Sequence, residues 1–277
     1  MEEEKIDLVK FDLADLGSYE FQGKRYSMED ALLVTTIDLK NQTCVLFGVF
    51  DGHGGGSTSK IASNTIKKEI LDAFANFKGP LSDTNLKLGI TNAFLKLESS
   101  LDKTVHYQQG STANLCIVMK DRYICANLGD SRSVLCRDGL ALPLSTDHKP
   151  NEDIESKRIY NAGEYVSNRD GVYRVSGILS VSRAFGDFDH DKHGLSLIDQ
   201  PVTACPDVKV ILKEEGDTFI ITACDGLWDV YSNESAVQFV KNMLKLRIPA
   251  DTAAERLVHS AYQKGSEDNI SCIIVYL

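Results

Sequence analysis

The 277-residue sequence predicts a layered α+β domain in which antiparallel strands pack between helices. Three observations carry this expectation. Six runs rich in β-branched and aromatic residues read as strands, and several are apolar at consecutive positions, the pattern of a strand buried on both faces. Five segments repeat apolar residues at helical spacing. Their order, with two consecutive helices early and two more before a closing strand, departs from the strict alternation of a doubly wound sheet.

Taken along the chain, the first strand runs from Cys44 to Phe50, and Gly54-Gly55-Gly56-Ser57 supplies a tight turn after it. A phosphate loop is excluded there because no lysine follows the last glycine in the required order. A helix over Ser57 to Asn76 places Ala62, Ile66, Ile70 and Phe74 on one face, and a second, Asp83 to Lys103, does the same with Leu86, Ile90, Phe94, Leu97 and Leu101. Strands Asn114 to Met119 and Tyr123 to Leu128 meet at an Asp121-Arg122 turn. Strand Ser133 to Cys136 ends in an Asp138-Gly139 hairpin signal. A helix over Asn151 to Ala162 should stop at Gly163, a suitable residue just beyond a helix end. The polar, glycine-containing segment Asn161 to Arg183 is expected to form a mobile flap. Strand Thr218 to Cys224, helices Glu234 to Lys245 and Thr252 to Lys264, and strand Ile270 to Tyr276 complete the order. No linker or repeat is visible, so residues 1–16 read as a lead-in and 17–277 as a single domain, with no appended regulatory domain expected.

Composition narrows the function. A net charge of −10 and a pI near 5.1 disfavour nucleic acid and anionic membrane as partners, leaving a small or protein-borne substrate. The seven cysteines sit mostly in apolar runs and read as reduced thiols of an intracellular protein. Met1-Glu2-Glu3-Glu4 fits neither a signal peptide nor a myristoylation site, and no apolar stretch is long enough to span a bilayer. A soluble protein of the cytoplasm, with the nucleus as the alternative, is expected.

Four aspartates share one local setting. Asp51, Asp130 and Asp225 follow apolar runs and adjoin glycines, and Asp268 precedes the last strand. One such residue would be an ordinary turn aspartate; four neighbouring carboxylates would protonate unless a cation neutralised them. Oxygen donors without paired cysteine or histidine select magnesium or manganese over zinc. Arg25, close before Glu29 and Asp30, could grip a phosphate through its planar fork of donors. Metals plus such an arginine point to phosphoryl hydrolysis.

Other patterns carry less. Cys116 and Arg122 have the spacing of a cysteine phosphatase but lack the glycine-rich loop between them, so Cys116 reads as a buried strand residue. His190 and His193 read as a solvated loop, and Trp228 as core packing.

Eight strings in order resemble the PP2C (metal-dependent protein phosphatase, PPM) family: Arg25-x-x-Met28-Glu29-Asp30, Asp51-Gly52-His53-Gly54, Gly110-Ser111-Thr112-Ala113, Gly129-Asp130-Ser131-Arg132, Asp147-His148-Lys149-Pro150, Ser182-Arg183-Ala184-Phe185-Gly186-Asp187, Cys224-Asp225-Gly226-Leu227-Trp228-Asp229 and Gly265-Ser266-Glu267-Asp268-Asn269. Phe185 stands where many members have leucine. The resemblance implies a central antiparallel β-sandwich flanked by pairs of α-helices, a four-layer αββα arrangement, with a binuclear magnesium or manganese centre at one end. It implies that Asp51 bridges two ions, that Asp225 and Asp268 complete one site, and that the Gly52 carbonyl serves the other. Glu29 and Asp30 would act through bound waters, and Asp130 with Asp225 would form a weaker third site. Arg25 would bind the substrate phosphate and His53 would protonate the leaving alkoxide as water, activated by the ions, attacks phosphorus. Phosphorylated proteins are the expected partners, and a monomer suffices. Two alternatives stand beside this reading. A pseudophosphatase scaffold should have lost metal carboxylates, whereas Asp51, Asp225 and Asp268 are in place; a hydrolase of small phosphate esters is poorly separated by sequence, because specificity lives in loops.

Overall fold

The structure, a computed structural model, describes residues 13–75, 77 and 79–277. Most of the predicted lead-in, residues 1–12, and Asn76 at the end of the first predicted helix lie outside the described residues. The first half of the chain forms β1 (Asp15–Phe21), β2 (Ala31–Leu39), β3 (Gln42–Phe50), β4 (Gly52–His53), α1 (Ser57–Ala75), α2 (Asp83–Ser100), β5 (Gly110–Ser111), β6 (Ala113–Val118), β7 (Arg122–Leu128), β8 (Arg132–Arg137) and β9 (Leu140–Pro143). The second half adds α3 (Asp153–Asn161), β10 (Val166–Arg169), β11 (Val172–Val175), β12 (Phe185–Gly186), β13 (Asp207–Leu212), β14 (Asp217–Ala223), α4 (Asp225–Trp228), α5 (Asn233–Lys245), α6 (Ala250–Gln263) and β15 (Ile270–Tyr276).

Two five-stranded antiparallel sheets, ordered β1-β15-β14-β8-β9 and β13-β7-β6-β3-β2, make the sandwich. Side-chain alternation explains why their central strands are apolar at every position. Along β3, Cys44, Leu46 and Phe50 face the helices α1 and α2, while Val45, Phe47 and Val49 face the other sheet. Along β15, Ile270, Cys272, Ile274 and Tyr276 pack toward α5 and α6, while Ile273 and Val275 turn inward. Three stacked cores therefore separate four layers, the αββα arrangement expected. A smaller apolar cluster of Ile159, Val175, Val181, Ala184 and Val202 underlies the β10–β11 hairpin, which occupies the segment expected as a flap.

The six strands expected from apolar runs are β3, β6, β7, β8, β14 and β15, all interior to a sheet. Of the strands not expected, β1, β2 and β13 lie at the edges of the two large sheets, where polar residues interrupt the run and no residue of β13 is buried; β4, β5, β10, β11 and β12, each of two to four residues, also go unpredicted. The Asp138-Gly139 hairpin forms between β8 and β9, both turn residues having positive φ (52° and 76°). Helix ends shift by a few residues. The second helix stops at Ser100 instead of Lys103, since Leu101 is already extended, and the third spans only Asp153–Asn161, with Gly163 (φ 83°) just beyond it. His190 departs from expectation: it is buried in a single 3-10 turn, while His193 is exposed.

Register decides where the acidic residues meet. Ala31 pairs with Phe50, Val49 with Asn114, and Ala113 with Leu128, so Asp30, Asp51 and the Gly129-Asp130 turn leave one end of their sheet. In the other sheet Ala223 pairs with Cys272, bringing Asp225 and Asp268 to a common end.

Candidate active site

A cleft of about 460 Å³ opens at that end, and Asp51, Asp130, Asp225, Asp268 and Glu29 are among its lining. Each carboxylate is set by backbone ties to its own neighbours. The Asp51 amide donates to Thr112 Oγ1 (3.2 Å) and its carbonyl accepts from the Thr112 amide (2.9 Å), which gives the Gly110-Ser111-Thr112-Ala113 string a structural reason. Asn269 ties the N-terminal loop to the last strand: its Oδ1 accepts from the Glu29 amide (2.9 Å), and its Nδ2 donates to the carbonyls of Gln22 and Ser27. Asp30 Oδ2 accepts from Ser271 Oγ (2.6 Å). Gly52 admits no side chain, because a Cβ there would lie 2.3 Å from the Glu29 carbonyl.

The electrostatics are unfavourable as the protein stands. Burial first, then the charges of Asp225, Asp30, Asp130 and Asp268, push the Asp51 carboxyl well above its usual range. Burial, with Asp130, Asp229 and Asp268, does the same to Asp225. Burial also drives Asp30 up to about 7, against hydrogen bonds from Ser271 and Cys224. Among the described residues, Asp30 Oδ1 and Asp225 Oδ1 are buried without a hydrogen-bond partner. Buried acceptors are seldom left so, and bound divalent cations would satisfy them while offsetting the repulsion. Ligand atoms of Asp30, Asp51 and Cys224 lie within 4.8 Å of one another. Burial and the adjoining carboxylates hold the Cys224 sulfur as a thiol, so the effective donors are oxygens and suit a hard ion.

The remaining expected residues are also here, in particular roles. Arg25 places Nη2 2.5 Å from Asp268 Oδ2 and is otherwise open to solvent, its other donors free to face the cleft. Asp130 accepts from Lys149 Nζ at 2.5 Å, a countercharge that sequence reasoning had not assigned. His53 Nε2 lies 2.6 Å from Asp187 Oδ2. Burial works against the His53 charge, but the Asp187 carboxylate outweighs it and raises the pKa. Both new partners occur in motif strings, Lys149 in Asp147-His148-Lys149-Pro150 and Asp187 at the close of Ser182 to Asp187; nothing in the local sequence says whom they touch. Trp228 is core, its indole N–H donating to the carbonyls of Arg132 and Ala223.

The sequence profile described as "PP2C: Protein phosphatase 2C" matches residues 14–270. The chain belongs to the protein phosphatase 2C family, whose members are metal-dependent protein serine/threonine phosphatases, hydrolases acting on phosphoproteins. It is 40% identical over 256 residues to "Probable protein phosphatase 2C 59" of Oryza sativa subsp. japonica, covering 91% of this chain and 72% of that protein. It is 41% identical over 256 residues to "Probable protein phosphatase 2C 69" of Arabidopsis thaliana, covering 91% and 67%. The crystal structure of a phosphatase from a pathogenic strain of Toxoplasma gondii superposes with a TM-score of 0.79 at 25% identity, over 93% of this chain and 91% of that one. A C. elegans sex determining protein shares the fold, with a TM-score of 0.82 at 24% identity over 94% of this chain and 64% of its own. No helix among the described residues is long and apolar enough to cross a membrane.

Proposed function

We propose that this phosphatase hydrolyses phosphoserine and phosphothreonine in proteins at a centre of two divalent ions, magnesium or manganese, with residues 17–277 as one catalytic domain. The observation that carries the reading is the pair of buried carboxylate oxygens, one on Asp30 and one on Asp225, that have no hydrogen-bond partner among the described residues, in a cluster where Lys149 and Arg25 offset only part of the acidic charge. Asp51 would bridge the ions, Asp225 and Asp268 would complete one site, and the Gly52 carbonyl would serve the second. Glu29 and Asp30 would hold bound waters. Asp130 with Asp225 would take a third ion weakly, because Lys149 already competes for Asp130.

When bound, the ions supply a water that is nucleophilic near neutral pH and a positive field for the phosphate oxygens. The chain's own residues do the rest. Arg25 spends one donor on Asp268 and offers the others to the phosphate, which orients it for in-line attack. His53 sits in the same cleft and gives its proton to the departing serine or threonine oxygen, a poor leaving group, a contribution of about 100- to 10,000-fold. Seven free cysteines support a reducing compartment, cytoplasm or nucleus, and no feature calls for more than a monomer.

The test is turnover of a phosphothreonine peptide and of a small aryl phosphate with manganese, with EDTA, and in Asp51→Asn. Manganese-dependent peptide turnover lost in both the EDTA and the Asp51→Asn arms is expected. Turnover that survives either one sinks the metal mechanism, and activity confined to small esters or nucleotides sinks the protein substrate.

A further inference from the structure

The pairing of His53 with Asp187 is built by a separate three-stranded sheet at the end of the sandwich, ordered β12-β5-β4. Here β4 carries His53, β5 carries Gly110, and Asp187 follows β12 directly. Gly110 must lack a side chain for the pair to form: its Cβ would fall 2.0 Å from Asp187 Oδ2 and 2.3 Å from His53 Nε2. Asp187 itself takes a left-handed backbone (φ 53°), a conformation strained for a non-glycine residue that persists only where the surroundings enforce it. Those surroundings are visible. The Asp187 amide donates to the Gln109 carbonyl (3.1 Å), and the preceding Gly186 amide donates to Glu98 of α2 (3.0 Å). Asp187 is buried, and among the described residues His53 is its sole ion-pair partner.

We propose that Asp187 is the positioning residue for His53, fixing the ring through Nε2 so that Nδ1 is the nitrogen presented to the leaving oxygen of the substrate. This rests on the reading of His53 as the proton donor. As the P–O bond breaks, its electron pair goes to the serine or threonine oxygen, the Nδ1–H proton moves to that oxygen, and the ring keeps its Nε2–H on Asp187. A purely structural acid would be satisfied by any donor, whereas a short bond from a buried carboxylate to one ring nitrogen leaves the second nitrogen as the reacting atom.

The experiment uses the full chain with three variants, Asp187→Ala, Asp187→Asn and His53→Gln, each checked for folding by its melting curve. A phosphothreonine peptide needs its leaving group protonated; 4-nitrophenyl phosphate needs this little. In Asp187→Ala, kcat for the peptide should fall roughly 10- to 100-fold more than for the aryl ester, with KM nearly constant. Asp187→Asn, which can still accept from Nε2–H, should recover part of the difference. In the magnesium form, 15N-histidine NMR should show His53 protonated at Nε2 in the parent chain and a mixed or inverted tautomer in Asp187→Ala. Equal losses on both substrates in folded Asp187→Ala and Asp187→Asn, or an unchanged tautomer, would overturn the proposal. A folded His53→Gln that loses both activities alike overturns the donor reading instead, and the tautomer signature then decides the positioning of the ring by itself.

Discussion

Glu155 and Asp51 are both shielded carboxylates, yet one is surrounded by cations of its own chain and the other by acids. Glu155 on α3 accepts from Arg183 Nη2 (2.6 Å), Arg158 Nη2 (2.8 Å) and Ser182 Oγ (2.7 Å), and Arg183 reaches on to Asp207 (2.9 Å). Burial opposes its charge, but the two arginines prevail and hold its pKa near 2. At the cleft the same residue types are pushed upward by burial and by one another. The difference teaches where the chain supplies its own countercharge and where it depends on something bound. The first cluster secures the segment beneath the β10–β11 hairpin; the second stores repulsion that bound cations would relieve.

The comparison breaks most visibly at Asp51. Asp51→Asn should lower phosphopeptide turnover on the order of 10³-fold, while the melting temperature without metal holds or rises because one repelling charge is gone. Steady-state kinetics and calorimetry on the same sample check both halves, and a destabilised Asn variant would mean that the cluster is structural. The opposite outcome is expected for Glu155→Ala. Stability should drop by about 3–5 kcal/mol, since Arg183 and Arg158 are left without their buried partner, as urea denaturation would report. A loss of activity with stability intact would place Glu155 in the chemistry instead.

Proton linkage sharpens the contrast. The Glu155 pKa lies below its ordinary value of 4.5, so its stabilisation is present above pH 4.5 and fades as the pH falls toward 2. Glu98, buried on α2 and accepting from Gly186, is raised by burial to about 8. Its sign is reversed: the folded state retains a proton that the unfolded chain releases, so its contribution is full below pH 4.5 and is lost as pH rises through 8. Melting temperatures of Glu98→Gln should therefore decline less than the parent's between pH 5 and 8. Parallel curves would refute the linkage. The smallest effect is expected at Arg25, which is largely solvated: Arg25→Ala should raise KM for the phosphopeptide about tenfold and leave melting unchanged. An unaltered KM would remove Arg25 from substrate binding.

Legibility followed burial. β3, β6, β7, β8, β14 and β15 were readable because both faces of an interior strand need apolar side chains, whereas β1, β2 and β13 each have an open edge and mix polar residues into the run. The helices were readable from their single apolar faces, and their ends less so, because Leu101 and Pro249 terminate or open helices by local backbone geometry. At the site, the oxygen-rich donor set and its acidic character could be inferred from residues alone. The Lys149–Asp130 and His53–Asp187 pairs could not, since each joins residues 19 and 134 positions apart.

The sequence by itself determined which strands are buried, which segments coil, which glycines permit the turns at Gly54 and Gly139, and that hard oxygen donors would dominate any metal site. Tertiary structure alone decided that Asp51, Asp225 and Asp268 line one cleft, that Asp30 is buried close to Asp51, and that one oxygen each of Asp30 and Asp225 stays without a partner among the described residues. The reason is physical. Side-chain periodicity is a local property of the chain, but strand register is set by packing across two sheets, and register fixes which distant strand ends meet.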